Sequence, residues 1–110
     1  GTPGFMAPEQ AFRYNEVDAR SDIYALGAVA YYLLSGRPIF AKKSVVELIA
    51  AHANDPVPPL TSFVPNILPK LEQIVLRCLS KFPEDRYATT SDLYADLSST
   101  GLHEKWDATK

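Results

Sequence analysis

Residues 23–34 read Ile-Tyr-Ala-Leu-Gly-Ala-Val-Ala-Tyr-Tyr-Leu-Leu, an apolar and aromatic run with no charged side chain. A helix built from it is apolar on every face and has to be buried all round. No other feature constrains the fold as strongly, because a chain of 110 residues offers few further elements to wrap around a central helix. Part of the covering surface is therefore expected to lie outside this chain. The run contains Gly27 and falls short of the roughly 18 to 20 apolar residues that a bilayer crossing needs, so no transmembrane span is read here.

Local signals frame that helix and place others around it. Ser21 is the expected cap, Asp22 sits in the first turn, and Gly36 followed by Pro38 ends the pattern. Upstream, residues 1–20 hold Gly1, Pro3, Gly4 and Pro8 without a sustained period and read as loop. A short helical turn over 8–12 is the exception, since proline is tolerated in a first turn and Glu9 lies at the positive end of the dipole. Downstream, Ser44 and Glu47 form a Ser-x-x-Glu capping box for a short helix through about His52, with Val45, Leu48 and Ile49 as its apolar face.

Five prolines between residues 54 and 69 (Pro56, Pro58, Pro59, Pro65 and Pro69) predict an extended connection there. Leu71, Ile74, Val75, Cys78, Leu79 and Phe82 then follow i, i+3, i+4, i+7, i+8, i+11, the clearest amphipathic stripe in the chain. Pro83 breaks it. Thr89 and Asp92 form a second capping box, opening a last helix with Leu93, Tyr94 and Leu97. Residues 98–110 are polar apart from Leu102 and Trp106 and are expected to fray. No segment alternates with a period of two, so the chain reads as all-helical.

Composition narrows the function classes. A hydrophobic content of 46% fits one compact domain or one piece of a larger one. Eleven basic against thirteen acidic side chains give a charge of -2, which points away from nucleic acid and anionic membranes. Cys78 is the single cysteine; it leaves no disulfide framework and no cysteine-rich metal site, sits on the apolar stripe as core, and favours a reducing, cytoplasmic setting. His52 and His103 have no partner at metal-ligand spacing and read as ordinary surface or helix-end residues. Lys42 and Lys43 form a small surface patch, while Tyr31, Tyr32 and Leu34 follow the buried-helix pattern. The chain opens on Gly1 with no leader behind it, so the true start is expected elsewhere.

Three stretches carry a resemblance. They are Gly1-Thr2-Pro3-Gly4-Phe5-Met6-Ala7-Pro8-Glu9, then Asp22-Ile23-Tyr24-Ala25-Leu26-Gly27, then Cys78-Leu79-Ser80-Lys81-Phe82-Pro83-Glu84-Asp85-Arg86. The first resembles the end of the protein-kinase activation segment at its Ala-Pro-Glu motif. The second is similar to the start of the family's central large-lobe helix, and the third to the turn before its last helix. The chain thus resembles the C-terminal part of the large lobe of a serine/threonine protein kinase, an all-α fragment of a two-lobed α+β fold. Residues 1–98 would be the partial kinase domain and 99–110 a C-terminal tail. Phe5 stands where tyrosine is more usual and Tyr24 where many relatives have tryptophan; residues 18–27 look more like bacterial members than animal ones.

The resemblance implies roles. Thr2 would bridge the catalytic-loop lysine and aspartate, which suits a serine or threonine acceptor. Gly4, Phe5 and Met6 would shape the substrate pocket beside the phosphoacceptor. Glu9 and Arg86 match the family's buried ion pair, and a guanidinium holds a carboxylate through two parallel hydrogen bonds. Asp22 would accept backbone hydrogen bonds from the catalytic loop, and also complements the helix dipole. Val29 and Leu33 match positions beneath the family's internal hydrophobic columns; by composition alone they are core.

Phosphoryl transfer needs a glycine-rich cover, a phosphate-binding lysine, metal-binding aspartate and asparagine, and an aspartate that orients the hydroxyl. Gly-x-Gly-x-x-Gly, His-Arg-Asp and Asp-Phe-Gly are all absent from these residues. ATP and Mg therefore belong, by resemblance, to a parent enzyme, with protein substrates and the remainder of the kinase domain as partners, and no catalytic residue and no metal ligand is assigned here. A pseudokinase scaffold and a free-standing helical interaction module are the alternatives. The module implies a self-sufficient fold, whereas a partial lobe implies exposed apolar surface around 23–34.

Overall fold

The structure is a computed structural model that describes residues 3–12 and 18–100. Within them the chain is helical and contains no strand. Five α-helices follow in order: α1 Pro8–Phe12, α2 Ala19–Ser35, α3 Val45–Asn54, α4 Pro69–Cys78 and α5 Thr90–Ser98. Short 3-10 turns lie at Pro3–Phe5, Leu60–Ser62 and Pro83–Asp85.

Helix α2 is the axis of the molecule, and its start differs from the sequence expectation. Asp18, in extended backbone, is the cap: its carboxylate accepts from the Arg20 N–H at 2.8 Å. Ser21 answers from the first turn, its hydroxyl accepting from the Asp18 N–H at 3.4 Å. Both residue types cap well, and the upstream one wins because its short carboxylate reaches into the next turn. At the other end Gly36 takes φ +74°, and its N–H closes on the Tyr32 carbonyl at 2.8 Å. That left-handed conformation explains the glycine.

One side of α2 is the core. Ile23, Tyr24, Gly27, Ala28 and Tyr31 are buried, packing on Ala7, Ala51, Val75 and Leu79 or, from Ile23, on Ile74, Cys78 and Tyr87. The approach to α4 is tight at Gly27, where an added Cβ would lie 2.6 Å from the Cys78 Cβ. The other side is open: Leu26, Val29, Tyr32, Leu33 and Leu34 are exposed, Leu33 to 75%. The run is apolar all round but covered on one side only, so Tyr32, Leu34, Val29 and Leu33 are not core among the described residues.

The remaining helices follow their signals with local exceptions. The Ser44 hydroxyl accepts from the Glu47 N–H at 3.1 Å, and the Thr89 hydroxyl from the Asp92 N–H at 3.1 Å. On α3 the buried positions are Ala51 and His52, with Leu48 and Ile49 half-buried and Val45 exposed. His52 is therefore a core residue, contrary to its surface reading. The α4 stripe holds through Leu79, but Phe82 is exposed; the Leu79 N–H bonds the Val75 and Leu76 carbonyls, and Pro83 starts a new turn. Phe82 keeps the spacing without the helix. On α5, Leu93 and Leu97 pack inward while Tyr94 is exposed. The connection between α3 and α4 is extended apart from its 3-10 turn and a further turn in which the Ile67 N–H bonds the Val64 carbonyl at 3.1 Å, and Tyr31 anchors it by donating to the Pro58 carbonyl at 2.8 Å.

Candidate functional site: a buried junction beside an N-terminal turn

Two charged side chains 77 positions apart meet at the base of the N-terminal segment. Glu9 comes from the first turn of α1, and Arg86 from the backbone just after the turn Pro83–Asp85. Both side chains are fully buried. Arg86 Nη1 donates to Glu9 Oε2 at 2.7 Å and Nη2 to Oε1 at 2.9 Å, two parallel charge-assisted bonds. The guanidinium's other donors go to main-chain carbonyls: Nε to Ser80 at 2.8 Å, Nη1 to Arg20 at 3.0 Å and Nη2 to Lys81 at 3.3 Å. A guanidinium has five N–H groups, and all five are used. Its face lies over the Tyr24 ring, 4.9 Å from the centroid.

The carboxylate is equally well held. Ser21 donates its hydroxyl to Glu9 Oε2 at 2.6 Å, so besides answering the Asp18 cap it ties α2 to α1. Burial pushes the Glu9 carboxyl up, but hydrogen bonds from Arg86, Ser21 and the main chain, with the Arg86 charge, hold it below the usual range. The pair stays ionised at neutral pH. One guanidinium thus links α1, the start of α2 and the turn before α5, which fixes where the preceding residues sit.

Those residues form the turn Pro3–Phe5. Gly4, Phe5 and Met6 are half-buried, and Phe5 meets Tyr32 edge to face with centroids 6.5 Å apart. The Ala7 N–H donates to Gln10 Oε1 at 2.8 Å, closing the step from the turn into α1. A Cβ at Gly4 would touch nothing within 4 Å. Thr2 and His103 lie outside the described residues. Asp22 is exposed in the first turn of α2, on the edge that Leu26 and Val29 continue.

Two polar residues here escaped the sequence reading. Ser21 carries no local sign of its Glu9 contact. His52 did carry one, since it shares the i, i+3, i+4 face with Leu48 and Ala51; its ring nitrogen Nδ1 lies 2.6 Å from the Tyr24 hydroxyl. Burial first, and the Lys81 charge second, push its pKa down to about 4. Cys78 is buried, and its thiol is pushed up to about 11, an inert core position. Among the described residues no three acidic, histidine or cysteine side chains gather as a metal site, and no helix is long and apolar enough to cross a membrane.

Comparison with known proteins places the chain in a family. Residues 1–97 match the family model of the protein kinase domain. Serine/threonine-protein kinase Pkn1 of Myxococcus xanthus is 47% identical over 89 residues, which are 81% of this chain and 13% of that protein. Serine/threonine-protein kinase PknB of Mycolicibacterium smegmatis is 41% identical over 111 residues, 100% of this chain and 17% of that protein. PknB of Mycobacterium tuberculosis is 43% identical over 98 residues, 88% of this chain and 15% of the relative. The chain therefore spans under a fifth of the length of these relatives. Its helical architecture and the extent of the match agree: this chain belongs to the serine/threonine protein kinase family and is an all-α, C-terminal piece of its catalytic domain.

Proposed function

We propose that these residues form the acceptor side and helical floor of a kinase that transfers the γ-phosphate of ATP to serine or threonine hydroxyls of proteins. Residues 1–98 belong to the catalytic domain in this reading, and 99–110 are a tail. The observation that carries it is the saturated Glu9–Arg86 junction, which seats the turn Pro3–Phe5 on α2. Gly4, Phe5 and Met6 then line the pocket beside the phosphoacceptor, and Thr2 favours a serine or threonine over a tyrosine acceptor. Asp22 steadies the catalytic loop by accepting its backbone N–H groups.

ATP and Mg supply the phosphoryl group and its charge neutralisation. The described residues do not fit either: they hold no metal-binding cluster, and no phosphate-cradling motif occurs in the chain. No chemical step is assigned to these side chains, and the isolated 110 residues are expected to transfer nothing. Their contribution is to place the acceptor, a matter of geometry that counts heavily when two reactants have to meet in line.

The exposed face of α2 supports the same reading. Leu26, Val29, Tyr32 and Leu33 make an apolar strip on the central helix, which a self-sufficient interaction module would have buried. The remainder of the kinase domain is its proposed cover. The decisive experiment gives the full-length protein Mg-ATP and peptides differing only in a serine, threonine or tyrosine acceptor. Phosphoserine and phosphothreonine are the expected products; phosphotyrosine alone, or no incorporation, overturns the proposal.

A further inference from the structure

Helix α3 packs on α1 and on the turn Pro3–Phe5, while α2 packs on that turn and on α4. Among the described residues no broad helix face joins α2 to α3, so side chains have to set the distance between them. Two bridges cross that gap, and both begin at the Arg86 guanidinium. Tyr24, fully buried on α2, lies under the guanidinium at 4.9 Å, and its hydroxyl is 2.6 Å from Nδ1 of His52 on α3. Lys81 follows a second path: its carbonyl accepts from Arg86 Nη2 at 3.3 Å, and its Nζ donates to the Ala51 carbonyl of α3 at 3.4 Å.

The Tyr24 bridge is the shorter one. His52 is 1% exposed, and its ring lies edge-on to Tyr24 at 5.6 Å and to Phe40 at 5.1 Å between centroids. Among the described residues its Nε2 has no hydrogen-bond partner, so the Tyr24 hydroxyl is the polar group that orients the ring. Parting a buried hydroxyl from a buried imidazole leaves both unsatisfied, which favours one fixed separation of the two helices. The same imidazole borders the N-terminal segment: with Ile49 it lines a small cleft whose other wall is Met6, Ala7, Pro8 and Ala11. Met6 therefore rests against the part of α3 that Tyr24 orients.

We infer that Tyr24 is a positioning residue for the acceptor side: seated under Arg86 and bonded through its hydroxyl to His52, it registers α3 on the Glu9–Arg86 junction and sets the wall behind Met6. The inference rests on the assignment of Gly4, Phe5 and Met6 to the acceptor pocket. Tyr24 and His52 are buried and do not touch substrate; they act through the segment that does. Loss of the hydroxyl should weaken peptide capture and leave the phosphoryl-transfer step alone.

Substitutions at both ends of the bridge test it in the full-length kinase. Tyr24→Phe keeps the ring under Arg86 and removes the hydroxyl, and His52→Phe removes the other end. His52→Asn keeps an amide near Nδ1 that can accept from the hydroxyl or donate to it. Expected is a peptide KM raised about 3- to 10-fold in Tyr24→Phe and in His52→Phe, the loss of one hydrogen bond, with kcat and the KM for ATP unchanged. The double variant should be within about 2-fold of the weaker single one, as for two halves of one contact. His52→Asn should recover to within about 2-fold of the parent. A lowered unfolding midpoint with unchanged peptide KM overturns the inference, as do effects that multiply in the double variant, a change in kcat alone, or an Asn variant as weak as the Phe one. The His52 pair keeps the test open should Tyr24→Phe not fold. Failure of the unmodified protein to phosphorylate any serine or threonine peptide would count against the kinase reading. Amide exchange across residues 4–7 then decides the coupling: about 3- to 10-fold faster exchange in Tyr24→Phe supports it, and unchanged exchange overturns it.

Discussion

The two sides of helix α2 are finished to different degrees. At its N-terminal, inward side the buried polar groups of α2 have partners among the described residues: Ser21 bonds Glu9, the Arg20 carbonyl accepts from Arg86, and Tyr24 lies between Arg86 and His52. On the outward side Leu26, Val29 and Leu33 are left exposed, and Tyr32, about half exposed, meets the Phe5 ring. A buried ion pair with a missing member leaves an uncompensated buried charge, so Glu9 and Arg86 have to come together. An apolar strip can be left for a later surface to cover. The difference teaches that these residues contain the whole of one structural device and half of another, as suits a piece of a larger catalytic domain.

The largest effect is expected where the device is complete. Arg86→Ala leaves the Glu9 carboxylate buried without its counter-charge and takes a donor away from the Arg20, Ser80 and Lys81 carbonyls. Breaking one partner of a buried pair costs about 3 to 5 kcal/mol, a large share of a domain's usual 5 to about 15. Denaturant unfolding of the full-length kinase should show that loss. Arg86→Lys should recover only part of it, because an ammonium cannot form the parallel pair. A loss under about 1 kcal/mol for Arg86→Ala would place the junction in the class of surface ion pairs.

Acid should weaken the same region in two stages. The folded-state pKa of His52 lies near 4, below its ordinary 6.5. Between those values the unfolded chain binds the proton and the folded one does not, so stability falls as pH drops through that window. The neutral ring's contribution is complete above 6.5 and amounts to about 3 kcal/mol, at about 1.4 per pKa unit. The groups facing it are Tyr24 from α2 and Lys81 beyond α4, with Arg86 and Glu9 acting on Tyr24. Glu9 follows at lower pH: its contribution is present above about 4.5 and is lost as pH falls through its depressed folded value. His52→Phe should flatten the first stage and spare the second, as read from unfolding midpoints between pH 7 and pH 3.

A smaller effect belongs to the crossing of α2 and α4. Gly27→Ala places a Cβ 2.6 Å from the Cys78 Cβ and 3.3 Å from Leu79, so the helices have to part. Overpacking of this kind costs about 1 to 3 kcal/mol, against a helix-propensity gain of up to about 1 for alanine over glycine. The net change is expected to destabilise. Pairing it with Cys78→Gly should restore part of the loss, and a double-mutant cycle measures how much.

What could be read from the sequence follows from the range of each interaction. The Ser44 and Thr89 caps, the turn at Pro8 and the stripe from Leu71 to Leu79 join groups within a few residues, so spacing reveals them. Phe82 and Tyr94 keep the period but not the burial, because periodicity does not say where a helix stops or which neighbour is present. The burial of His52 is legible in its spacing with Leu48 and Ala51, but its partner Tyr24, 28 positions away, leaves no local sign. The Glu9–Arg86 pairing has no local signature; it came from the resemblance, which carried a contact that no spacing rule encodes.

The smallest expected effect is also the sharpest test of the opening contrast. Leu33 is 75% exposed and mostly in solvent, so Leu33→Ala in the 110 residues alone should change stability by under about 0.5 kcal/mol, as surface substitutions do. In the full-length kinase the proposed cover buries the same side chain, and removing it should cost about 2 to 5 kcal/mol. The two measurements carry the same substitution, so helix propensity and unfolded-chain effects largely cancel between them. A difference of several kcal/mol assigns the outward face of α2 to the rest of the domain. Equal, small values in both would mean that the strip stays open in the parent protein and that the helix was never half of a larger core.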